Sequence, residues 1–99
     1  SGKPVRGIDS PMYVSASKDV RCLWTWLDNG IILVMDITNN DSIYTNASNI
    51  DKHYHADIEN LKEISSTSPE RLLEYESDTI EQIKRLLSSE EKGSAGVAL

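Results

Sequence analysis

The chain has 99 residues, a formal net charge of −6 at pH 7 and 38% hydrophobic residues without any phenylalanine. This length supports one modest core but not two, and the acidic balance argues against a nucleic-acid partner, because contact with a phosphate backbone needs clustered Lys and Arg. The single cysteine excludes an internal disulfide, and no apolar run has signal or membrane length, so the sequence predicts an intracellular protein, cytoplasmic or nuclear, without a membrane partner.

The N-terminal stretch, residues 1–11, contains two Pro and two Gly without periodicity, which predicts a flexible arm or an expression remnant. A short strand is expected from Met12 to Ser17. A single α+β domain is expected over residues 12–89, followed by a flexible tail at 90–99 that is rich in small and polar residues. Because the chain starts with Ser rather than Met, it is expected to be cut from a larger intracellular protein.

The most regular pattern is a hairpin between residues 20–27 and 31–37. Residues alternate in polarity along the first strand, and Asn29-Gly30 favours a two-residue turn because both positions accept a positive φ. This turn fixes a register in which Trp24 and Trp26 share one face with the apolar residues Cys22, Leu33, Met35 and Ile37. That face is the more apolar one, so we predict that both tryptophans belong mainly to the core.

The opposite face of the hairpin is mixed in polarity. In this register it pairs Leu27 with Ile32, Thr25 with Val34 and Leu23 with Asp36. We therefore predict that a partner protein contacts the apolar members of this face, which are Leu23, Leu27, Ile32 and Val34.

The segment after the hairpin is predicted as further short strands. Residues 38–41 have turn composition, and residues 42–46 and 52–57 are each compatible with a strand. Residues 58–64 carry Ile or Leu at every third position, so this stretch fits a strand or a short helix equally well.

A long amphipathic helix is predicted from about Pro69 to Ser89. Ser68 is a favourable N-cap, and a proline at the first helical position loses no hydrogen bond. At 100° per residue the apolar side chains fall within an arc of roughly 160°, and this apolar stripe consists of Leu72, Leu73, Tyr75, Ile80, Ile83, Leu86 and Leu87.

The order of these elements predicts an α+β fold, in which an antiparallel meander of about four to six short strands packs against one long C-terminal amphipathic helix. The sheet can be open or barrel-like. Pleckstrin-like and polo-box-like domains also run strands into a final helix, which is an analogy of topology only.

Glu76 interrupts the apolar stripe of the predicted helix, and Thr79 lies on the same side. A buried and unpaired carboxylate would cost several kcal/mol. Glu76 must therefore reach a basic group or water, or else this part of the helix is open to another chain. On the second interpretation Glu76 and Thr79 belong to the partner-binding residues.

His53 and His55 form the only histidine cluster. On a strand they would point to one side, where Zn²⁺ or Cu²⁺ could bind, but no companion ligand motif accompanies them, so they are weak metal candidates. Cys22 is expected to be buried beside the tryptophans and therefore unreactive. No phosphate-binding glycine loop and no nucleophile motif is present, so we expect neither catalysis nor a cofactor.

These patterns favour a non-catalytic interaction or regulatory domain that binds a peptide, a partner protein or a second copy of itself. The alternative is a small-ligand or metal-sensing domain that uses the strand with His53 and His55 or a tryptophan-lined pocket. Residues 30–48, interpreted as strand, turn and strand, resemble the PAS fold and belong to this alternative.

Overall fold

The structure is a computed structural model and describes residues 2–74. Four antiparallel strands form one sheet in the order β1-β2-β3-β4, and one long helix packs on it. The elements are β1 (Lys3–Pro4), β2 (Tyr13–Ser17), β3 (Val20–Trp26), β4 (Ile32–Thr38) and α1 (Ser42–Thr67), followed by a 3-10 helix at Pro69–Leu73. The predicted α+β class and antiparallel meander are confirmed, but the long helix that packs on the sheet spans Ser42–Thr67 and not the predicted residues 69–89.

The hairpin between β3 and β4 turns at Asn29-Gly30, as predicted. Both residues have a positive φ, 60° for Asn29 and 72° for Gly30, and the Ile31 amide donates to the Asp28 carbonyl at 3.3 Å. The next hydrogen bond runs from the Leu27 amide to the Ile31 carbonyl at 2.8 Å. Leu27 and Asp28 thus both lie opposite Ile31, and the pairing beside the turn is shifted by one residue from the predicted register.

A second irregularity further along the hairpin cancels this shift. Met35 is an extra residue on β4, at the point where the register changes between Leu23 and Trp24 of β3. The observed pairs are Trp26 with Ile32, Thr25 with Leu33, Trp24 with Val34, Leu23 with Asp36 and Cys22 with Ile37. The last two pairs agree with the prediction, and the first three differ from it by one residue.

The core lies between the sheet and α1, on the face of β3 that carries Leu23 rather than the tryptophans. Leu23 is 0% exposed and Trp26 is 50% exposed. The prediction that the tryptophan face is the core face was therefore wrong, because α1 follows β4 directly and packs its own apolar side on the opposite face. The buried core residues are Met12, Val14, Leu23, Met35, Ile43, Ala47, Ile50 and Ile58.

Residues 42–67 form one helix where two short strands were predicted. Its buried residues recur at the three- and four-residue spacing of a helix, and they are Ile43, Asn46, Ala47, Ile50, Ile58, Leu61 and Ser65. The strand prediction was wrong because the turn composition of residues 49–51 was interpreted as a break between two strands. Ile50 instead continues the helical spacing of the buried residues. The ambiguous residues 58–64 belong to this helix.

Local interactions define both ends of α1. The Asn40 side chain accepts a hydrogen bond from the Ser42 amide at 2.9 Å, which satisfies one of the free N–H groups of the first turn. At the other end the Ser68 amide donates to the Ile64 carbonyl at 2.8 Å, and a proline follows. The helix is kinked at Tyr54, where φ is −129° and ψ is 17°.

The N-terminal residues are part of the fold, which corrects the prediction of a flexible arm. Lys3 and Pro4 pair with β2, and the Val5 amide donates to the Met12 carbonyl at 2.8 Å. Ser10 is 1% exposed. The composition of this stretch gave no sign of its pairing, which depends on contacts with residues distant in sequence.

The predicted helix at 69–89 falls largely outside the described residues, as do the tail at 90–99 and the candidates Glu76 and Thr79. The part that the structure describes, Pro69–Leu73, is a 3-10 helix. In the described part of the chain, no helix combines the length and the apolar character needed to cross a membrane.

Candidate interaction surface

The sheet has an uncharged face on the side away from α1, which we call the outer face. Strand alternation and the observed pairing put side chains from β2, β3 and β4 there in adjacent rows. The outer face consists of Tyr13, Ser15, Ser17, Val20, Cys22, Trp24, Trp26, Ile32, Val34 and Ile37. An antiparallel sheet with one solvated face normally alternates apolar and polar residues, whereas here both faces of the sheet are apolar.

Aromatic contacts order the centre of the outer face. Tyr13 stacks on Trp24 with ring centroids 4.9 Å apart, and Trp26 meets Trp24 edge to face at 5.5 Å. The Trp24 indole Nε1 donates to the Ser15 hydroxyl at 2.9 Å. Gly2 lies against Trp24 so closely that a Cβ atom at Gly2 would stand 2.8 Å from the indole ring. Trp24 is thus held by its neighbours, and Trp26 presents its outer half to solvent.

The exposed apolar residues of the outer face run along β3 and β4, from Val20 and Ile37 near one end of the hairpin to Trp26 and Ile32 near the other. Their exposed fractions are 51% for Val20, 50% for Trp26, 48% for Ile32, 52% for Val34 and 64% for Ile37. Large contiguous apolar patches are uncommon on monomers and mark sites of interaction with a partner or another surface. The outer face is therefore the candidate interaction surface of the described residues.

The predicted partner-binding residues of the hairpin divide between the two faces. Leu23 and Leu27 are buried against α1, with exposed fractions of 0% and 6%, so the prediction that these two are displayed was wrong. Ile32 and Val34 do lie on the exposed outer face. Because Leu27 and Asp28 both lie opposite Ile31, the pairing shifts by one residue and places Ile32 and Val34 on the same face as the tryptophans. A simple two-residue turn did not predict this placement.

A small cleft adjoins the outer face at Trp26. It has a volume of about 170 Å³, which is below the ≈ 300–1,000 Å³ of typical small-molecule sites. Its walls come from the sheet and from α1, and they are Pro11, Tyr13, Thr25, Trp26, Ile58, Glu59 and Lys62. A cleft of this size fits one or two side chains of a partner better than a cofactor.

A polar cluster formed by Ser10, Asp51 and His55 joins the N-terminal segment to α1. The two carboxylate oxygens of Asp51 accept hydrogen bonds from the Asp9 amide at 2.9 Å and from the Ser10 amide at 2.7 Å. Burial alone would raise the pKa of Asp51, but the hydrogen bonds from Asp9 and Ser10 and the nearby His55 outweigh it, so the pKa lies below its ordinary value. The charged form of Asp51 therefore stabilises the docked N-terminal segment.

This cluster lacks the geometry of a hydrolytic triad, in which serine and aspartate contact different ring nitrogens of the histidine. Here the Ser10 hydroxyl is 2.5 Å from His55 Nδ1, and the nearest Asp51 oxygen is 3.8 Å from the same atom. Ser10 is also buried. We therefore assign the cluster a structural role, and sequence reasoning missed it because Ser10 lies more than 40 residues before Asp51 and His55.

The basis for the metal-site prediction was wrong, because His53 and His55 lie on α1 and not on a strand. They flank the kink at Tyr54, so the shared strand face on which the prediction depended does not exist. Among residues 2–74, no group of three or more His, Cys, Asp or Glu side chains is arranged to hold a metal ion.

Cys22 lies on the outer face with the tryptophans and is partly exposed. Burial and, to a lesser extent, the charge of Asp36 raise the pKa of its thiol. A raised pKa keeps the thiol protonated at neutral pH, so Cys22 has no activated thiolate.

Comparisons with known protein families, with curated protein sequences and with solved structures found no match for this chain. The analogies of topology to pleckstrin-like, polo-box-like and PAS domains gain no support from them.

Proposed function

We propose that the chain is a non-catalytic protein-interaction domain whose outer face binds the apolar side of an amphipathic helix. The observation that carries this proposal is the uncharged outer face, with Trp26, Val34 and Ile37 each at least half exposed. A helix in an apolar groove or on an apolar surface is a common mode of peptide recognition, read through residues at spacings of three and four.

A helix suits this surface better than a strand or a small molecule. Strand addition uses the edge of a sheet, whereas the apolar residues here cover its face. The inner face of the same sheet already accommodates a helix, since α1 packs there through residues such as Ile43 and Ile50. The absence of charge on the outer face calls for an apolar stripe on the partner, with its charged residues directed to solvent.

The interaction is expected to be of moderate strength. Each of the five exposed apolar side chains is about half accessible, so covering one contributes roughly 1 kcal/mol from removal of apolar area. The entropy cost of association reduces the total by several kcal/mol. Because Tyr13 and Trp24 are already ordered by mutual stacking, the central part of the surface loses little side-chain entropy on binding.

The negative charge of the chain still argues against a nucleic-acid partner. An intracellular location, in the cytoplasm or nucleus, also remains a prediction from the cysteine content and the hydropathy of the sequence.

The proposal is tested by titrating the full chain with a synthetic amphipathic helical peptide that carries a leucine stripe and Glu and Lys elsewhere. The only two tryptophans of the chain both lie on the outer face, so their emission should shift to the blue with saturation. A peptide of the same composition in scrambled order should produce no saturable shift.

The matched variants are Val34→Asp on the outer face and Asn60→Asp on the exposed side of α1. Val34→Asp should weaken peptide binding by about tenfold or more, because a carboxylate would be buried without a partner. Asn60→Asp adds the same charge and should bind like the wild type. Circular dichroism and melting temperature check that both variants fold. Equal affinities for Val34→Asp and Asn60→Asp would refute the proposal.

A further inference from the structure

The apolar stripe in the C-terminal part of the sequence begins where the described chain ends. Leu72 and Leu73 are its first members, and Leu73 is 82% exposed. The remaining members, Tyr75, Ile80, Ile83, Leu86 and Leu87, belong to residues 75–99, which follow directly. Within residues 2–74 the outer face of the sheet keeps exposed apolar side chains, and the sequence that follows contains a separate apolar stripe.

The end of α1 lies beside the same end of the sheet as Trp26 and Ile32. Ser65 connects the helix to the β3–β4 turn, since its hydroxyl accepts a hydrogen bond from the Asp28 amide at 2.9 Å and its carbonyl accepts one from the Asn29 side chain at 2.7 Å. The 3-10 helix that follows ends at Leu73, eight positions after Ser65. The C-terminal segment thus leaves the described fold close to one end of the outer face.

The dimensions of the segment and of the surface agree. Residues 75–89 as a helix would extend about 22 Å at 1.5 Å per residue. The strands β3 and β4 have seven residues each, which corresponds to roughly 23 Å of sheet. A helix of this length can cover the outer face from the turn at Asn29-Gly30 to the other end of the hairpin.

From these observations we propose that residues 75–89 form an amphipathic helix that occupies the outer face of the same chain, so that a partner helix must displace it. The inference rests on the proposed function, because it takes the outer face to be a surface for apolar helices. A second copy of the chain is a weaker candidate, since a segment joined by a short linker acts at an effective concentration on the order of millimolar.

Disulfide trapping in the full chain tests this occupancy directly. Cys22 lies on the outer face and is the only cysteine, so a second cysteine in the segment can report contact. Three single variants place it on the apolar stripe: Ile80→Cys, Ile83→Cys and Leu87→Cys. Three matched variants place it on the opposite side of the predicted helix: Glu81→Cys, Arg85→Cys and Ser88→Cys.

Under mild oxidation at micromolar protein, at least one stripe variant should form an intramolecular disulfide at a rate independent of concentration, and the opposite-side variants should react much more slowly. Mass spectrometry of the tryptic peptides identifies the linkage. Equal rates for the two sets of variants, or disulfides formed only between molecules, would overturn the inference, and the second result would indicate a second copy on the outer face.

A competition experiment separates this inference from the proposed function. Ile80→Asp with Ile83→Asp removes two apolar residues from the stripe, whereas Ser77→Asp with Ser88→Asp adds the same charge on the opposite side. The stripe variant should bind the leucine-stripe peptide about tenfold more tightly than the wild type, because the competing segment no longer occupies the surface. The control variant should match the wild type.

The outcomes distinguish the two proposals. If the wild type and the stripe variant bind the peptide with equal affinity, the occupancy by residues 75–89 is refuted while the proposed function stands. If neither protein binds the peptide, the proposed function fails as well.

Discussion

Asp51 is the residue on which the position of the N-terminal segment depends most directly. Its two oxygens accept from two successive amides, those of Asp9 and Ser10, and its side chain is only 12% exposed. A charged acceptor that receives two N–H groups forms a stronger interaction than a neutral one. Through these bonds α1 holds the segment between β1 and β2, which explains how a stretch rich in Pro and Gly becomes ordered.

We predict that Asp51→Asn lowers the free energy of unfolding by roughly 1–3 kcal/mol at neutral pH. The amide nitrogen of asparagine cannot accept a hydrogen bond, so one of the two amides loses its partner. Urea unfolding of the full chain measures the difference. Asp19→Asn, which changes an exposed carboxylate outside the core, serves as the control and should change the free energy by less than about 0.5 kcal/mol.

The effect of Asp51→Asn should also depend on pH. Because the pKa of Asp51 in the folded chain is below its ordinary value of 3.8, the charged carboxylate stabilises the fold fully above that pH. The contribution is lost as the pH falls below 3.8 and through the folded pKa. The difference between wild type and variant should therefore shrink between pH 7 and pH 3, and a difference that stays constant would contradict this assignment.

At the scale of single elements, the hairpin and the helix differ in how far the sequence predicts them. The turn at Asn29-Gly30 follows from local backbone preference and is correctly predicted. The one-residue shift in strand pairing beside the turn cannot be predicted from the neighbouring residues, because the Asp28 amide donates to Ser65, a residue 37 positions away. Which face of the hairpin becomes the core also depends on distant residues, because α1, which follows the hairpin, packs on the face that carries Leu23.

The helix α1 was predictable in principle from its own residues. Its buried positions keep a helical spacing from Ile43 to Ser65. Short polar stretches within it have turn composition, however, and this composition led to the prediction of short strands separated by turns. Large apolar side chains on both faces of the hairpin also leave its core face ambiguous from sequence alone. The outer face became recognisable as a candidate site only once α1 was seen to cover the other face.

We predict that Ser65→Ala destabilises the junction between α1 and the hairpin by roughly 1–3 kcal/mol, since the Asp28 amide would lose its acceptor in a partly buried position. The Ser65 side chain is 0% exposed and also donates to the Lys62 carbonyl at 2.6 Å. Ser66→Ala, at an exposed neighbouring position, is the matched control. Thermal unfolding followed by circular dichroism compares the two. Similar melting temperatures for both variants would show that the bond to the turn contributes little.

At the scale of the whole molecule, the sheet is apolar on both sides but has a described helix on only one. A sheet of this kind is expected to be covered on both faces. The inner face obtains its cover from α1, and we have proposed that the segment 75–89 covers the outer face. Its solution behaviour should therefore depend on whether the C-terminal stripe is intact.

We predict that the full chain with Ile80→Asp and Ile83→Asp self-associates more strongly than the wild type, because its outer face is left without cover. Sedimentation velocity over a range of concentrations from micromolar to near millimolar measures this. The variant with Ser77→Asp and Ser88→Asp has the same net charge, so charge repulsion is equal in the two proteins, and it should stay as monomeric as the wild type.

A third variant connects the self-association to the outer face itself. Adding Val34→Asp to the variant with Ile80→Asp and Ile83→Asp should restore the monomer, since the new carboxylate opposes burial of the surface on which the copies would meet. If the triple variant associates as strongly as the double variant, the contact lies elsewhere, most directly at the edge of the sheet that β4 forms. If the double variant remains monomeric at every concentration, the stripe does not shield the outer face from self-association.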